Sequence, residues 1–118
     1  MSHIVTIETR IHDATALAAA CRRLELTEPV HGNVRLFNAD ATGLSVKLPG
    51  WQYPIVVDTA NGSIKYDNYE GRWGDPEKLG LLLQMYAVEK AKIEARKKGH
   101  CVMEQARQDG SIVVQITM

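Results

Sequence analysis

The segment "GDPEKLGLLLQMYAVEKAKIEARKKGH", Gly74–His100, predicts a long helix with both ends marked. Asp75 is a favoured N-cap residue, and Pro76 suits the first helical position, where its missing N–H breaks no hydrogen bond. The lysines before Gly99 complement the negative end of the helix dipole, and a glycine there is a common helix stop. We therefore predict one helix over Pro76–Lys98.

The apolar residues of this helix fall on two sides rather than one. At about 100° per residue, one stripe gathers the side chains that we expect to lie against a sheet. That stripe consists of Leu79, Leu82, Leu83, Tyr86 and Ile93. A second apolar group lies on nearly the opposite side, where a helix that covers one face of a sheet should be polar. It consists of Leu81, Met85, Val88 and Ala95.

Two explanations of the second apolar group stay open. Either the first helix or a loop folds over it, or the group is exposed and contacts a protein partner or a second copy of the chain. Under the second explanation, Leu81, Met85 and Val88 form the contact, and methionine suits an adaptable surface. Lys92 and Arg96 would form a charged rim that sets specificity more than affinity. This interpretation predicts that Met85→Glu leaves the fold intact and abolishes the assembly.

The chain before Gly50 predicts a strand, a helix and two further strands. Apolar and polar residues alternate over Ile4–Ile11, which is the period of a half-buried strand. A helix with its N-cap at Asp13 would place Cys21 on its buried stripe. Short strands are then predicted at Asn33–Asn38 and Leu44–Leu48, joined by a polar turn within residues 39–43.

Two hairpins are predicted on either side of the long helix. The dipeptide Asn61-Gly62 is typical of a two-residue type I′ turn, in which both residues take positive φ. That turn would set Val57 opposite Tyr66. A second hairpin is predicted around Asp109-Gly110. Its expected apolar face consists of Cys101, Met103, Ile112, Val114 and Ile116.

The resulting order of elements is β-α-β-β-β-β-α-β-β. Tight hairpins favour a mainly antiparallel sheet, and two helices packed on one face would bury that face. We therefore predict an α+β fold. The 118 residues are enough for one hydrophobic core, so we interpret residues 1–118 as a single domain.

Charge and composition argue against several classes of function. Fourteen basic residues balance fourteen acidic ones, so the chain lacks the positive charge typical of nucleic-acid and anionic-membrane binders. Its first residues, "MSHIVTIETR", have no signal-peptide pattern, and no apolar segment approaches the length of a membrane span. We expect a cytoplasmic protein with no membrane partner, and the balanced charge argues against a nucleic-acid partner. We expect Cys21 and Cys101 to be reduced core residues.

The sequence contains no motif that carries a specific reaction. None of its four histidines lies in a zinc or nucleophile motif, and no glycine-rich segment matches a nucleotide-binding loop. We therefore expect no catalytic residues, no metal site and no cofactor. The sequence favours a binding protein over an enzyme. The weak enzyme hypothesis requires His31 and Asp58 to meet in one pocket.

Aromatic residues and glycines concentrate in two loops, "LPGWQYP" and "YDNYEGRWGDP". Trp51, Tyr69, Arg72 and Trp73 could form a stacking platform for a small molecule or a nucleic acid. This is the alternative to the protein-binding hypothesis. The zero net charge argues against it, and a loop tryptophan commonly closes the end of a core.

Three segments resemble a family of small proteins, the domain-of-unknown-function family numbered twelve fifty-seven. They are the opening "MSHIVTIETRIHDATAL", the helical "LLQMYAVEKAKIEARKKGH" and the closing "EQARQDGSIVVQI". The family includes a hypothetical conserved plastid reading frame and relatives in cyanobacteria and other bacteria. The resemblance implies no established activity and transfers no catalytic residue. It implies an accessory subunit, with an AAA-type ATPase system as the candidate partner.

Overall fold

The computed structural model describes residues 4–37 and 39–117. Within these residues, two helices and seven strands follow the predicted order: β1 (Val5–Glu8), α1 (Ala14–Arg23), β2 (Val30–Arg35), β3 (Asp40–Val46), β4 (Ile55–Asp58), β5 (Ser63–Tyr66), α2 (Pro76–Lys97), β6 (Cys101–Ala106) and β7 (Ile112–Thr117). The α+β class predicted from the sequence is confirmed.

Five strands form an antiparallel sheet in the order β1-β5-β4-β3-β2, and both helices pack on one of its faces. The main core joins apolar residues of α1, of α2 and of the central strands, among them Leu17, Leu82, Val57 and Ile64. The last two strands differ from the prediction of a single sheet. β6 and β7 form a separate two-stranded sheet that packs against α2.

Both helices begin at the predicted caps. The Asp13 carboxylate accepts hydrogen bonds from the N–H groups of Thr15 and Ala16, and the Asp75 carboxylate accepts one from Glu77 at 2.9 Å. These bonds satisfy donors that have no partner inside the helix. α2 ends at Lys97, one residue before the predicted end, and Gly99 adopts a φ of +75° that favours glycine.

The β4–β5 hairpin does not use the predicted type I′ turn. Gly62 takes a φ of +74°, but Asn61 does not take a positive φ. The loop has four residues because the Asp58 carboxylate accepts hydrogen bonds from the N–H groups of Ala60 and Asn61. Val57 therefore lies opposite Ile64 rather than Tyr66. This shift of two residues leaves every side chain on its predicted face.

The β6–β7 hairpin has a different register from the predicted one. The N–H of Arg107 donates to the carbonyl of Ser111 at 2.8 Å, and Gly110 has a φ of +89°, so the loop has three residues. Met103 consequently lies opposite Gln115. This shift of one residue separates Cys101 and Met103 from Ile112, Val114 and Ile116. Cys101 is exposed, which corrects the expectation of a core thiol, whereas Cys21 is buried as predicted.

The β2–β3 hairpin turns earlier than predicted. β3 already begins at Asp40, so the residues assigned to the turn, 39–43, lie mostly inside a strand. The predicted strand Asn33–Asn38 corresponds to the end of β2 and the turn, and Asn38 lies outside the described residues. Leu36 and Ala41 pack with Val56 in a second, smaller core, apart from the main one.

Candidate functional site

The predicted partner surface on α2 is largely buried. Met85 is 7% exposed and belongs to the main core, and Val88 is 6% exposed. Leu81 is 40% exposed and Arg96 is exposed, whereas the Lys92 side chain is only 15% exposed. The five residues therefore do not form one open surface, and a partner could reach Met85 or Val88 only if part of the protein moved aside.

The C-terminal hairpin covers this side of α2. Gln84 donates from its side chain to the carbonyl of Gly110 at 3.0 Å, and Lys92 donates to the Glu104 carboxylate at 2.6 Å. Val88 lies one helical turn from each of these two contacts, which places it beneath the hairpin. The second apolar side of the helix is thus covered within the chain: the hairpin covers Val88, and Met85 packs in the main core, to which α1 also contributes.

An ion-pair network joins the hairpin to both helices. Arg23 of α1 lies 2.5 Å from one Glu104 oxygen, and Lys92 of α2 binds the other. Glu89 lies within 3.7 Å of Lys92 and 3.4 Å of Arg23. Hydrogen bonds from Arg23 and Lys92 lower the pKa of Glu104 from 4.5 to about 2. Lys92, predicted to meet a partner, is therefore already paired inside the chain.

Three of the four predicted aromatic-platform residues meet in one cluster. The Trp73 ring lies 4.8 Å from the Tyr69 ring, and the Arg72 guanidinium lies 4.9 Å above Tyr69. Tyr53, which belongs to the first of the two aromatic loops, lies 5.6 Å from Trp73. Phe37, which the sequence did not single out, lies 5.1 Å from Trp73. Phe37 comes from the β2–β3 turn, a distant segment of the chain, so local sequence patterns could not identify it.

The loop that carries this cluster has an uncommon backbone. Tyr69 and Glu70 both have positive φ values, 49° and 54°, which residues with side chains adopt infrequently. Asn68 closes the loop by accepting from the N–H of Trp73 and donating to the carbonyl of Gly74. The arrangement holds Trp73 against its neighbours and leaves Arg72 exposed.

Trp51 is separate from the cluster and has a structural role. Its indole N–H donates to the carbonyl of Asp75 at 3.0 Å, and its ring packs against Tyr66 and the main core. A side chain at Gly74 would collide with the indole. Trp51 thus fixes the start of α2 and closes the end of the core.

The residues of the enzyme hypothesis do not meet. Leu44 pairs with His31 on one side and with Val57 on the other, so these three side chains share a face. Asp58 follows Val57 and therefore points to the opposite face, where its carboxylate caps its own hairpin loop. His31 and Asp58 are thus two strands apart on opposite faces, which removes the shared pocket that the hypothesis requires.

The outer side of the C-terminal hairpin is the exposed apolar surface that sequence analysis missed. Met103 is 64% exposed on the face away from α2, beside Gln105, Val113 and Gln115. Ile116 is 45% exposed at the end of β7. In the described part of the chain, the outer edges of β6 and β7 pair with no other strand. The predicted faces correspond to a two-residue turn at Asp109-Gly110. A three-residue loop at this dipeptide would have assigned the two faces of the hairpin correctly.

An apolar groove follows the remaining open side of α2. One cavity of about 590 Å³ lies between α2 and the residues after β1, with Ile11, Leu83 and Tyr86 in its lining. A neighbouring cavity of about 450 Å³ lies between α2 and Ile116, and the two share Ala91 and Glu94. The groove therefore leads along the helix to the outer edge of β7.

These features define an α+β protein with a helix-covered sheet and a separate C-terminal hairpin. Comparison of the chain with family models, with curated proteins and with solved structures gave no match. Membership of the family suggested by the sequence stays a prediction. Among the described residues, no helix is long and apolar enough to cross a membrane, and no three or more His, Cys, Asp or Glu side chains group as metal ligands would.

Proposed function

We propose that the protein is a binding module that acts through protein–protein contact, and that its contact surface is the β6–β7 hairpin. The observation that carries this proposal is a two-stranded sheet with exposed Met103 and Ile116, whose outer edges pair with no other described strand. An exposed strand edge is a ready site for the addition of another strand. This surface replaces the predicted one on the back of α2, because Met85 lies in the main core and Val88 lies beneath the hairpin.

The accessory role beside an AAA-type ATPase rests on the family resemblance alone. The hairpin supports the more general proposal of a protein-binding module. It is held to the helices by side-chain contacts and lies outside the main sheet. A partner strand could add to it without disturbing the core. The module would thus bind a protein partner or a second copy of the chain in the compartment expected from the sequence, the cytoplasm.

Affinity capture from the protein's own cells tests the proposal. Two charge-adding variants, Met103→Lys/Gln105→Lys on β6 and Val113→Lys/Gln115→Lys on β7, are compared with wild type after circular dichroism has shown that they fold. The control is Val30→Lys on β2, because Val30 and Met103 are both 64% exposed. We expect at least one hairpin variant to lose a captured protein that the control retains. Equal capture by all four proteins would overturn the proposal.

A second candidate function is the binding of a flat ligand by the aromatic cluster. The specific observation in its favour is the convergence of Tyr69, Arg72 and Trp73 on a loop with positive φ values, a kind of backbone strain that clusters at functional sites. In a Trp51→Phe variant, Trp73 is the remaining tryptophan. Nucleotides or short single strands should then quench its fluorescence, and Arg72→Ala should weaken the quenching. An unchanged signal at high ligand concentration would exclude this candidate.

A further inference from the structure

The backbone of β7 offers a regular row of free hydrogen-bonding groups. Bonded and non-bonded pairs alternate along an antiparallel ladder, and the N–H of Arg107 donates to the carbonyl of Ser111. The bonds between β6 and β7 therefore use alternate residues of β7, beginning with Val113. The N–H and C=O groups of Ile112, Val114 and Ile116 point to the outer edge, where no described strand pairs with them.

The sequence of β7 is compatible with pairing to itself. Strand edges are commonly protected by charged residues, and the other edge-forming strands carry them: Glu8 in β1, Arg35 in β2 and Glu104 in β6. The strand "IVVQIT", Ile112–Thr117, has no charge, no proline and no glycine. Antiparallel pairing of two such strands would therefore bring no like charges together.

The surface beside this edge has room for a neighbouring strand. The cavity of about 450 Å³ between α2 and Ile116 has the small side chains of Ala91 and Ala95 in its lining, beside the polar side chains of Glu94, Lys98 and His100. Ile116 itself remains 45% exposed and points to the α2 side of the hairpin, as does its cross-strand neighbour Val102. A strand added to β7 would cover both the apolar side of Ile116 and the groove over the helix.

We propose that β7 pairs antiparallel with β7 of a second copy of the chain. With Val114 opposite Val114 of the second copy, all three edge-facing residues pair, and Ile116 lies opposite Ile112 of the second copy, beside the cavity. The product is a two-fold symmetric dimer with a continuous four-stranded sheet packed on two α2 helices. This inference rests on the proposed function, for which it names the partner.

The test is the mass of the purified protein in solution, measured by sedimentation equilibrium over a range of concentrations. Wild type should have twice the monomer mass of 13.1 kDa. In the proposed register Val113 lies opposite Gln115 of the second copy. Val113→Lys/Gln115→Lys therefore sets like charges opposite one another and should give the monomer mass.

The matched control is Met103→Lys/Gln105→Lys, which adds the same charge to the same face of the hairpin but on β6. It should remain dimeric, and all three proteins should have the same circular dichroism spectrum. Self-pairing would be overturned if wild type were monomeric at every concentration. It would also be overturned if wild type were a dimer and only the β6 control became monomeric, or if both variants remained dimeric. The proposed function is tested separately, by affinity capture: it fails if the hairpin variants capture the same proteins as wild type, whatever the mass of the purified protein in solution.

Discussion

Glu104 shows how a single carboxylate can attach one part of the molecule to another. It accepts from Lys92 at 2.6 Å and lies 2.5 Å from Arg23, so β6, α1 and α2 meet at this side chain. The two cations favour its charged form and hold its pKa at about 2. Replacing it would leave two cations without their main partner, which usually costs more than the pair contributes.

We predict that Glu104→Gln lowers the free energy of unfolding at neutral pH by about 2 kcal/mol, because charge-assisted hydrogen bonds are lost. The sign of the pH dependence follows from a depressed pKa. The stabilisation by Glu104 is complete above its ordinary pKa of 4.5 and is lost as the pH falls towards about 2. Urea unfolding across this range measures both effects. Glu94→Gln, at a 45% exposed side chain paired with Lys90, is the control and should change little.

Met85 of α2 is buried in the main core of the protein. A carboxylate at this 7% exposed position would lie in the main core without a partner. We predict that Met85→Glu lowers the free energy of unfolding by about 3–5 kcal/mol, in contrast to the sequence-based expectation of an intact fold. Leu81→Glu, on the same helix at a 40% exposed position, should cost less than about 0.5 kcal/mol. Equal unfolding midpoints in urea for the two variants would contradict the assignment of Met85 to the core.

At the scale of the elements, the two hairpins differ in what a register error does to them. The β4–β5 pairing is shifted by two residues from the prediction, and Val57 and Ile64 still face the core. The β6–β7 pairing is shifted by one, and Met103 moves to the opposite face from Val114. The sequence predicts the existence of both hairpins, but the loop length that sets their faces depends on side-chain hydrogen bonds such as those of Asp58.

The glycines of these two loops should respond differently to the same substitution. Gly62 and Gly110 both have positive φ, which costs an L-residue about 1 kcal/mol or more. A Cβ at Gly110 meets nothing within 4 Å, whereas a Cβ at Gly62 would lie 2.6 Å from the carbonyl oxygen of Thr9. We predict that Gly110→Ala lowers the unfolding free energy by about 1 kcal/mol and Gly62→Ala by more than about 2 kcal/mol. Thermal or urea unfolding measures both variants. A lower unfolding free energy for Gly110→Ala than for Gly62→Ala would contradict this prediction.

At the scale of the whole molecule, local patterns predicted elements better than they predicted contacts between elements. The helix caps at Asp13 and Asp75 depend on neighbouring residues and were predicted correctly. The cover over Val88 and the rings around Trp73 depend on segments far apart in the chain. No periodicity within α2 distinguishes a face covered by the chain's own hairpin from a face offered to a partner, since both need the same apolar residues.

The separate hairpin should also be a separate unit of stability. A two-stranded sheet is marginally stable alone, and this one depends on α2 and on the Glu104 network, whereas β4 and β5 lie inside the main sheet. We predict that hydrogen exchange of hairpin amides is faster than that of Val57 and Ile64, and that Glu104→Gln accelerates exchange in the hairpin while leaving the main sheet unchanged. Peptide-resolved exchange at neutral pH measures this difference. Uniform acceleration over the whole chain would instead show that the hairpin and the sheet unfold as one cooperative unit.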